Sequence, residues 1–295
     1  MNDPFFVTAI GTPLTEDERL DDESLEAQVL DQWNAGISGI LAGGTMGAMQ
    51  LLTDETYRRL AERCVEFSAG RGPLYVGAGD AGFARTRDRI GFLNRLKIDG
   101  VVVLPPYLLT FDQEELIAYY RALAAESRAP LYLYDLPAIT KTKLRLETIV
   151  ELSRCPNIRG IKCSDEGAFI RQLIDALDGS FQVFVAQPDL IDILLRWGIS
   201  SHLDGVYALA PAWVKAIGRH AVDGRWDEAA RCQRRLTALR GLLIRYGVFP
   251  AFTVLMNARG MSGSFAPRPY RRLGGPERER LRTEPVVREL LSGSP

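Results

Sequence analysis

The sequence predicts an α/β fold: a TIM-type (β/α)8 barrel followed by a C-terminal helical extension. Three observations lead there. Short apolar runs recur eight times between residues 5 and 208. Most are separated by stretches with helical periodicity and end signals. The runs are continuously apolar rather than alternating, as befits parallel strands covered on both faces. Eight βα repeats close most naturally into a barrel, and 295 residues suffice for one barrel with an appendage. A doubly wound open sheet is the structural alternative. It usually carries a GxGxxG turn after its first strand, and none stands here.

The strand-like runs are FFVTAI (5–10), SGILAG (38–43), PLYVGAG (73–79), GVVVLP (100–105), PLYLYDL (130–136), IRGIKC (158–163), FQVFVA (181–186) and HLDGVYA (202–208). After the first, DDESLEAQVLDQWNAG opens with acids suited to a helix N-terminus and ends at Gly36, a residue apt for the left-handed position past a helix. GAGDAG (77–82) lacks dinucleotide spacing and reads as a βα turn. In TFDQEELIAYYRALAAES, Thr110 and Gln113 have capping-box spacing, and Leu116, Tyr119, Tyr120 and Leu123 fall on one face. Past about residue 222 strands give way to helices: GRWDEAARCQRRLTALRGLLIRYG, PAFTVLMNARG and PERERLRTEPVVRELLSG. The expected domains are therefore a barrel over 1–222 and a helical domain over 223–295. RPYRRL (268–273) reads as a solvated basic face or an interdomain contact.

Composition narrows the function. A net charge of −1 gives no basic footprint for nucleic acid, and no apolar run reaches the ~18 residues that span a bilayer. The start MNDPFFVTAIGTP has no basic segment followed by a long apolar core, so a cytoplasmic protein is expected. Cys64, Cys155, Cys163 and Cys232 lie far apart, without a CxxC pair, and read as reduced and structural. His202 and His220 cannot furnish a three-histidine metal site, and no HExxH is present. No metal or organic cofactor is implied.

In a barrel the chemistry sits at the C-terminal ends of the strands. Lys162 ends the sixth run, Tyr134 the fifth, and Thr45 lies in the GGTMG loop after the second. A lysine in an apolar run needs a counter-ion, an escape to solvent, or a neutral amine. Only the last makes it a nucleophile. Asp135 and Asp165 are the acids that could claim Lys162 in a structural ion pair. If neither does, the trio fits a Schiff-base enzyme for 2-keto acids. The amine attacks the ketone, the phenol moves protons through one oxygen, and backbone N–H groups around Thr45 and Met46 hold the carboxylate. Gly43, Gly44 and Gly47 let the backbone come close. Taken singly, Tyr134 is also consistent with core packing and Thr45 with ordinary loop chemistry.

At these residues the chain resembles the dihydrodipicolinate synthase and N-acetylneuraminate lyase family of Schiff-base aldolases. The resemblance runs through nearly the whole chain: TPL near the start, GGTMGAMQLLTDE where the family reads GTTGE and then LTxxE, YDLP for YNxP, and GIKCSD at the GIK segment. It implies that Lys162 forms the imine, Tyr134 relays protons, and Thr45 orients that tyrosine and the keto acid. It also implies a TIM barrel with C-terminal helices, assembled as a homo-oligomer, dimer or tetramer, commonly the homotetramer.

The departures bear on substrate. Met46 replaces the second threonine of GTTGE and Ala48 its glutamate. PPYLL keeps Tyr107 but has Leu108 where the synthase has its relay tyrosine, and Ile139 stands where the synthase has an arginine for a dicarboxylate. Ser164 occupies the place of a hydroxyl residue that contacts substrate in the sialic-acid lyase branch, and Tyr207 is a further candidate for the pocket wall. Ala208 replaces an asparagine often found in this region. The expected activity is a class I lyase or aldolase acting next to pyruvate, on a 2-keto-3-deoxy sugar acid or related hydroxylated 2-keto acid. Dehydratase chemistry through the same imine is a close variant. The alternatives are dihydrodipicolinate synthase itself, which Leu108 and Ile139 disfavour, and a barrel that binds a keto acid without turnover.

Overall fold

The computed structural model describes residues 3–293; the extreme ends of the two expected domains lie outside them. Eight parallel strands are present, β1 (Phe5–Ala9), β2 (Gly39–Ala42), β3 (Leu74–Gly77), β4 (Gly100–Val103), β5 (Leu131–Asp135), β6 (Ile158–Cys163), β7 (Gln182–Val185) and β8 (Ser201–Asp204). They follow one another around a closed barrel. The expected fold is therefore the observed one. The helices between them are α1 (Asp22–Asn34), α2 (Asp54–Ser68), α3 (Phe83–Leu93), α4 (Gln113–Glu126), α5 (Pro137–Thr140), α6 (Leu146–Ser153), α7 (Gly167–Ala176) and α8 (Ile191–Arg196). After β8 come α9 (Pro211–Val222), α10 (Trp226–Tyr246), α11 (Val248–Ala258), α12 (Gly275–Thr283) and α13 (Pro285–Leu291).

Two local expectations are corrected. The HLDGVYA run stops being a strand at Asp204, and Val206–Ala208 form a 3₁₀ turn. The cause is local: the Asp204 carboxylate accepts the Val206 N–H, which turns the chain out of the sheet. The cap of α4 is Asp112, not Thr110. Asp112 accepts the Glu115 N–H while Glu115 accepts the Asp112 N–H, a reciprocal pair with a carboxylate on each side. Leu116, Tyr119, Tyr120 and Leu123 are buried on one face, as the spacing predicts.

Contacts divide the chain into two compact units, and the division is not at residue 222. One unit comprises residues up to Gly72 and from Pro188 onward. In it β1 pairs with β2 and β8, and the C-terminal helices share a single core with the first strand. Phe6, Trp213, Leu236, Phe252 and Leu255 are among its buried members. On α10 the buried positions Ala229, Cys232, Leu236, Leu239 and Leu243 recur at helical spacing, which is why this charged sequence packs as a helix. The RPYRRL arginines sit at the surface on acids: Arg268 on Glu18, Arg271 on Glu277 and Arg272 on Glu16.

The second unit, Pro73–Gln187, holds β3 to β7 in unbroken parallel order. Its interior is aromatic. Tyr75, Tyr132 and Phe184 meet with ring centroids 5.1–5.9 Å apart. Gly100 and Gly160 admit the Tyr132 ring, since a Cβ at either would come within 2.6–2.8 Å of it. The GAGDAG loop is a βα turn, as expected, with its buried Asp80 held by Arg85 and Arg89.

Candidate active site

The second unit brings Lys162 and Tyr134 together through the register of β5 against β6. The pairing begins as Leu131 with Ile158, then shifts: Tyr132 pairs with Gly160 and Tyr134 with Lys162, leaving Arg159 as an extra residue on β6. Continued unshifted, the same pairing would set Asp135 opposite Lys162. One inserted residue thus decides whether a phenol or a carboxylate stands beside the amine. On the other side β7 places Phe184 in register with Lys162. Lys162 is buried, 6% exposed, and Tyr134 is buried beside it. Lys162 Nζ donates a short hydrogen bond to the Tyr134 hydroxyl oxygen and lies 3.8 Å from the centroid of the Tyr134 ring.

The two acids that could have claimed Lys162 are engaged elsewhere. Both Asp135 and Asp165 bind Lys143, Asp165 at 2.6 Å, and Lys143 Nζ also lies 3.6 Å from the Phe169 ring centroid. Asp135 has no accessible surface. Burial pushes its carboxyl upward even though Lys143 and the Leu144 N–H oppose the shift. Burial works against the charge on Lys143 too, but hydrogen bonds to the two carboxylates prevail and raise its pKa. Among the described residues no carboxylate lies within 4.0 Å of Lys162. Sequence reasoning missed Lys143 and Phe184. The TKTK segment after the YDLP turn offered lysines near Asp135 in sequence; nothing in the sequence alone marked Phe184.

Ser164 follows at the end of β6. Its backbone N–H donates to the Asp135 carbonyl, and its hydroxyl makes no hydrogen bond among the described residues. Gln187, in contrast, is tied by its amide to the Asp165 carbonyl. Cys163 is no second nucleophile: burial pushes its thiol up to about 12.

Thr45, Gly44, Met46 and Tyr207 belong to the first unit. The loop after β2 is closed by bonds from Ala48 to Thr45 and from Met49 to Gly44, and by the Thr12 hydroxyl of the TPL segment, which donates to the Gly47 carbonyl at 2.7 Å. Ala48 takes a left-handed conformation, φ 50°, that turns the chain at the loop's end. The backbone N–H groups of Gly44, Met46 and Gly47 donate to no acceptor among the described residues. The Met46 side chain packs on Gly205, where a Cβ would meet its Cγ at 2.6 Å, so only its backbone is free for a ligand. Tyr207 is corrected. It has no accessible surface, stands edge-on to Phe6 in the helical core, and presents nothing to a pocket.

A closed parallel barrel with a buried lysine against a phenol, and no acid within 4.0 Å of its amine among the described residues, belongs to the class of lysine Schiff-base lyases. Comparison with known proteins agrees. The model of the dihydrodipicolinate synthetase family matches residues 5–284, and the chain belongs to that family of aldolase-type lyases. It is 30% identical over 230 residues to a 4-hydroxy-tetrahydrodipicolinate synthase from Exiguobacterium sibiricum, covering 78% of each chain. To an N-acetylneuraminate lyase from Rhizobium meliloti it is 30% identical over 270 residues, 90% of this chain and 89% of the other. Among solved structures, the chloride-inhibited dihydrodipicolinate synthase from Acinetobacter baumannii, complexed with pyruvate, superposes with a TM-score of 0.88 at 25% identity, covering 98% and 99% of the two chains. No helix among the described residues is long and apolar enough to cross a membrane.

Proposed function

We propose that this chain binds a pyruvate-type 2-keto acid as an imine on Lys162 and makes or breaks the C–C bond next to it. The observation that carries this reading is the Lys162–Tyr134 hydrogen bond with no carboxylate within 4.0 Å of the amine among the described residues. The Lys162 nitrogen adds through its lone pair to the C2 carbonyl. The resulting carbinolamine loses water to become the imine, and the Tyr134 hydroxyl supplies and recovers the proton. The protonated imine then accepts the electron pair released at C3. Loss of a C3 proton gives an enamine that adds to an aldehyde carbon; in the reverse direction, breaking C3–C4 leaves the same enamine and frees the aldehyde. The chain is expected to work in the cytoplasm as a homo-oligomer.

For the other half of the substrate, the synthase reading has the stronger support, because most of the similar curated proteins bear that name. A hydroxylated 2-keto acid is the second reading. It is favoured by the free Ser164 hydroxyl and by the N-acetylneuraminate lyase relative, and by Ile139, where the synthase resemblance calls for an arginine. The test has two stages. Incubation with pyruvate and borohydride should add the reduced adduct to the peptide containing Lys162; no adduct with any of several keto acids would overturn the imine. Formation of 4-hydroxy-tetrahydrodipicolinate, measured against pyruvate release from a 2-keto-3-deoxy sugar acid, then decides between the two readings.

A further inference from the structure

The first unit holds a cleft of about 490 Å³, and none of the described residues assigned to the imine chemistry lines it. That volume is within the range of small-molecule sites. The walls are the loop after β1, one side of α11, and residues 262–278. Leu14 and Ser264 hold two of these walls together, since the backbone N–H of each donates to the carbonyl of the other at 2.8 Å. Leu14, Val254 and Leu273 give the cleft an apolar side.

Among the described residues three guanidinium groups line the cleft, and they differ in what they hold. Arg271 is bound to Glu277 by two hydrogen bonds of 2.8 and 3.0 Å. Arg272 has Glu16 alone, at 3.7 Å with both side chains largely exposed, a pairing worth little in water. The Arg278 side chain makes no hydrogen bond, ion pair or ring contact with any described residue. Two acids also line the cleft. Glu16 is the loose partner of Arg272, and Asp21 caps the N-terminus of α1 while accepting hydrogen bonds from the Ser24 N–H and the Ser24 and Ser262 hydroxyls, so its charge is already compensated. We propose that this cleft binds a small phosphorylated molecule, its phosphate held by Arg272 and Arg278 and its organic part against Leu14, Val254 and Leu273. Each guanidinium can take two oxygens, so a pair of them matches a phosphate dianion better than the single charge of a carboxylate. Inorganic phosphate alone would leave the apolar side bare.

Calorimetric titration of the full-length chain with phenyl phosphate, inorganic phosphate and benzoate tests this. Phenyl phosphate should bind saturably with a Kd of about 1 mM or tighter. The other two, each lacking one half of the match, should bind about tenfold more weakly. Arg272→Gln and Arg278→Gln, both at exposed positions, should each weaken phenyl phosphate by about tenfold, the cost of one charged hydrogen-bonding group, with the far-ultraviolet circular dichroism unchanged. Arg282→Gln, whose side chain lines only a neighbouring hollow, should bind like the wild type. So should Lys162→Ala; loss of binding in that variant would move the probe to the active site and overturn the proposal. Absence of saturable binding overturns it too, as does full affinity in either Arg272→Gln or Arg278→Gln. Benzoate binding as tightly as phenyl phosphate overturns the assignment to phosphate.

Discussion

Two lysines of the Pro73–Gln187 unit have similar seats and opposite uses. Lys162 lies 3.8 Å from the centroid of the Tyr134 ring, and Lys143 lies 3.6 Å from that of Phe169. Each has an aromatic face beneath it. What separates them is the second contact. Lys143 is gripped by two carboxylates, whereas the hydrogen-bond partner of Lys162 is a phenol. A lysine held by acids works as a structural clasp; one whose hydrogen-bond partner is a phenol is placed to serve as a nucleophile. Lys143 also takes the acids that would otherwise be the nearest candidates for Lys162, so the clasp and the nucleophile are parts of one arrangement.

The largest effect expected from this comparison is at the nucleophile. Lys162→Ala should abolish borohydride-trapped adduct formation with pyruvate while the protein still folds, and Lys143→Ala should retain the adduct on the Lys162 peptide. A label that migrated to Lys143 would end the distinction between the two. Next comes the phenol. Tyr134→Phe keeps the ring under the amine but removes its hydrogen-bonding oxygen, and should slow turnover by about 10²–10⁴, the usual contribution of a proton-transfer group. Turnover close to that of the wild type would remove Tyr134 from the chemistry.

Much of this was legible in the sequence, and the reasons for the rest are specific. Continuous apolar runs and their spacing carried the barrel, because parallel strands must be apolar on both faces. Lys162, Tyr134 and the GGTMG loop could be picked out because strand ends and glycines are where barrel chemistry gathers. The partner of Lys162 could not be read. It depends on the register shift at Arg159, and an inserted residue leaves no mark in an apolar run. Tyr207 was misplaced for a related reason: the HLDGVYA run looks like one strand, but the Asp204 side chain ends it early and turns the tyrosine into the helical core. The boundary at 222 followed a change in composition, whereas the C-terminal helices share their core with β1.

A third buried base extends the comparison to one with neither carboxylate nor phenol. His202 has no accessible surface, stacks on Phe6, and among the described residues has one hydrogen-bond partner, the Ile199 carbonyl, on Nε2. Burial lowers its pKa from 6.5 to about 4, so folding is coupled to keeping this ring neutral. A depressed folded-state pKa contributes stability that is present above 6.5 and is lost as pH falls through 4, where the unfolded chain binds the proton more readily. At 1.36 kcal/mol per unit the full effect is about 3 kcal/mol. Urea unfolding at a series of pH values should show that loss in the wild type and a shallower acid limb in His202→Phe. Parallel curves for the two would show that His202 does not drive the acid dependence.

The smallest effect tests the clasp. Removing one partner of a buried ion pair typically costs 3–5 kcal/mol, but Lys143 is 33% exposed and water reaches its ammonium, so about 2 kcal/mol is expected for Lys143→Met. Most of that cost comes from Asp135, left with a buried carboxylate and no cation. Asp135→Asn should therefore relieve part of it, and the double variant should be less destabilised than the sum of the singles, by about 1 kcal/mol in a denaturation cycle. The pH dependence has a definite sign. A lysine whose pKa is raised by folding contributes stability that is complete below its unfolded value near 10.5 and lost as pH rises through the higher folded value. The gap between wild type and Lys143→Met should consequently narrow in strongly alkaline solution. Strict additivity of the two substitutions would mean that Lys143 and Asp135 are neighbours without being partners, and the acids would then have to be kept from Lys162 by the register of β5 and β6 alone.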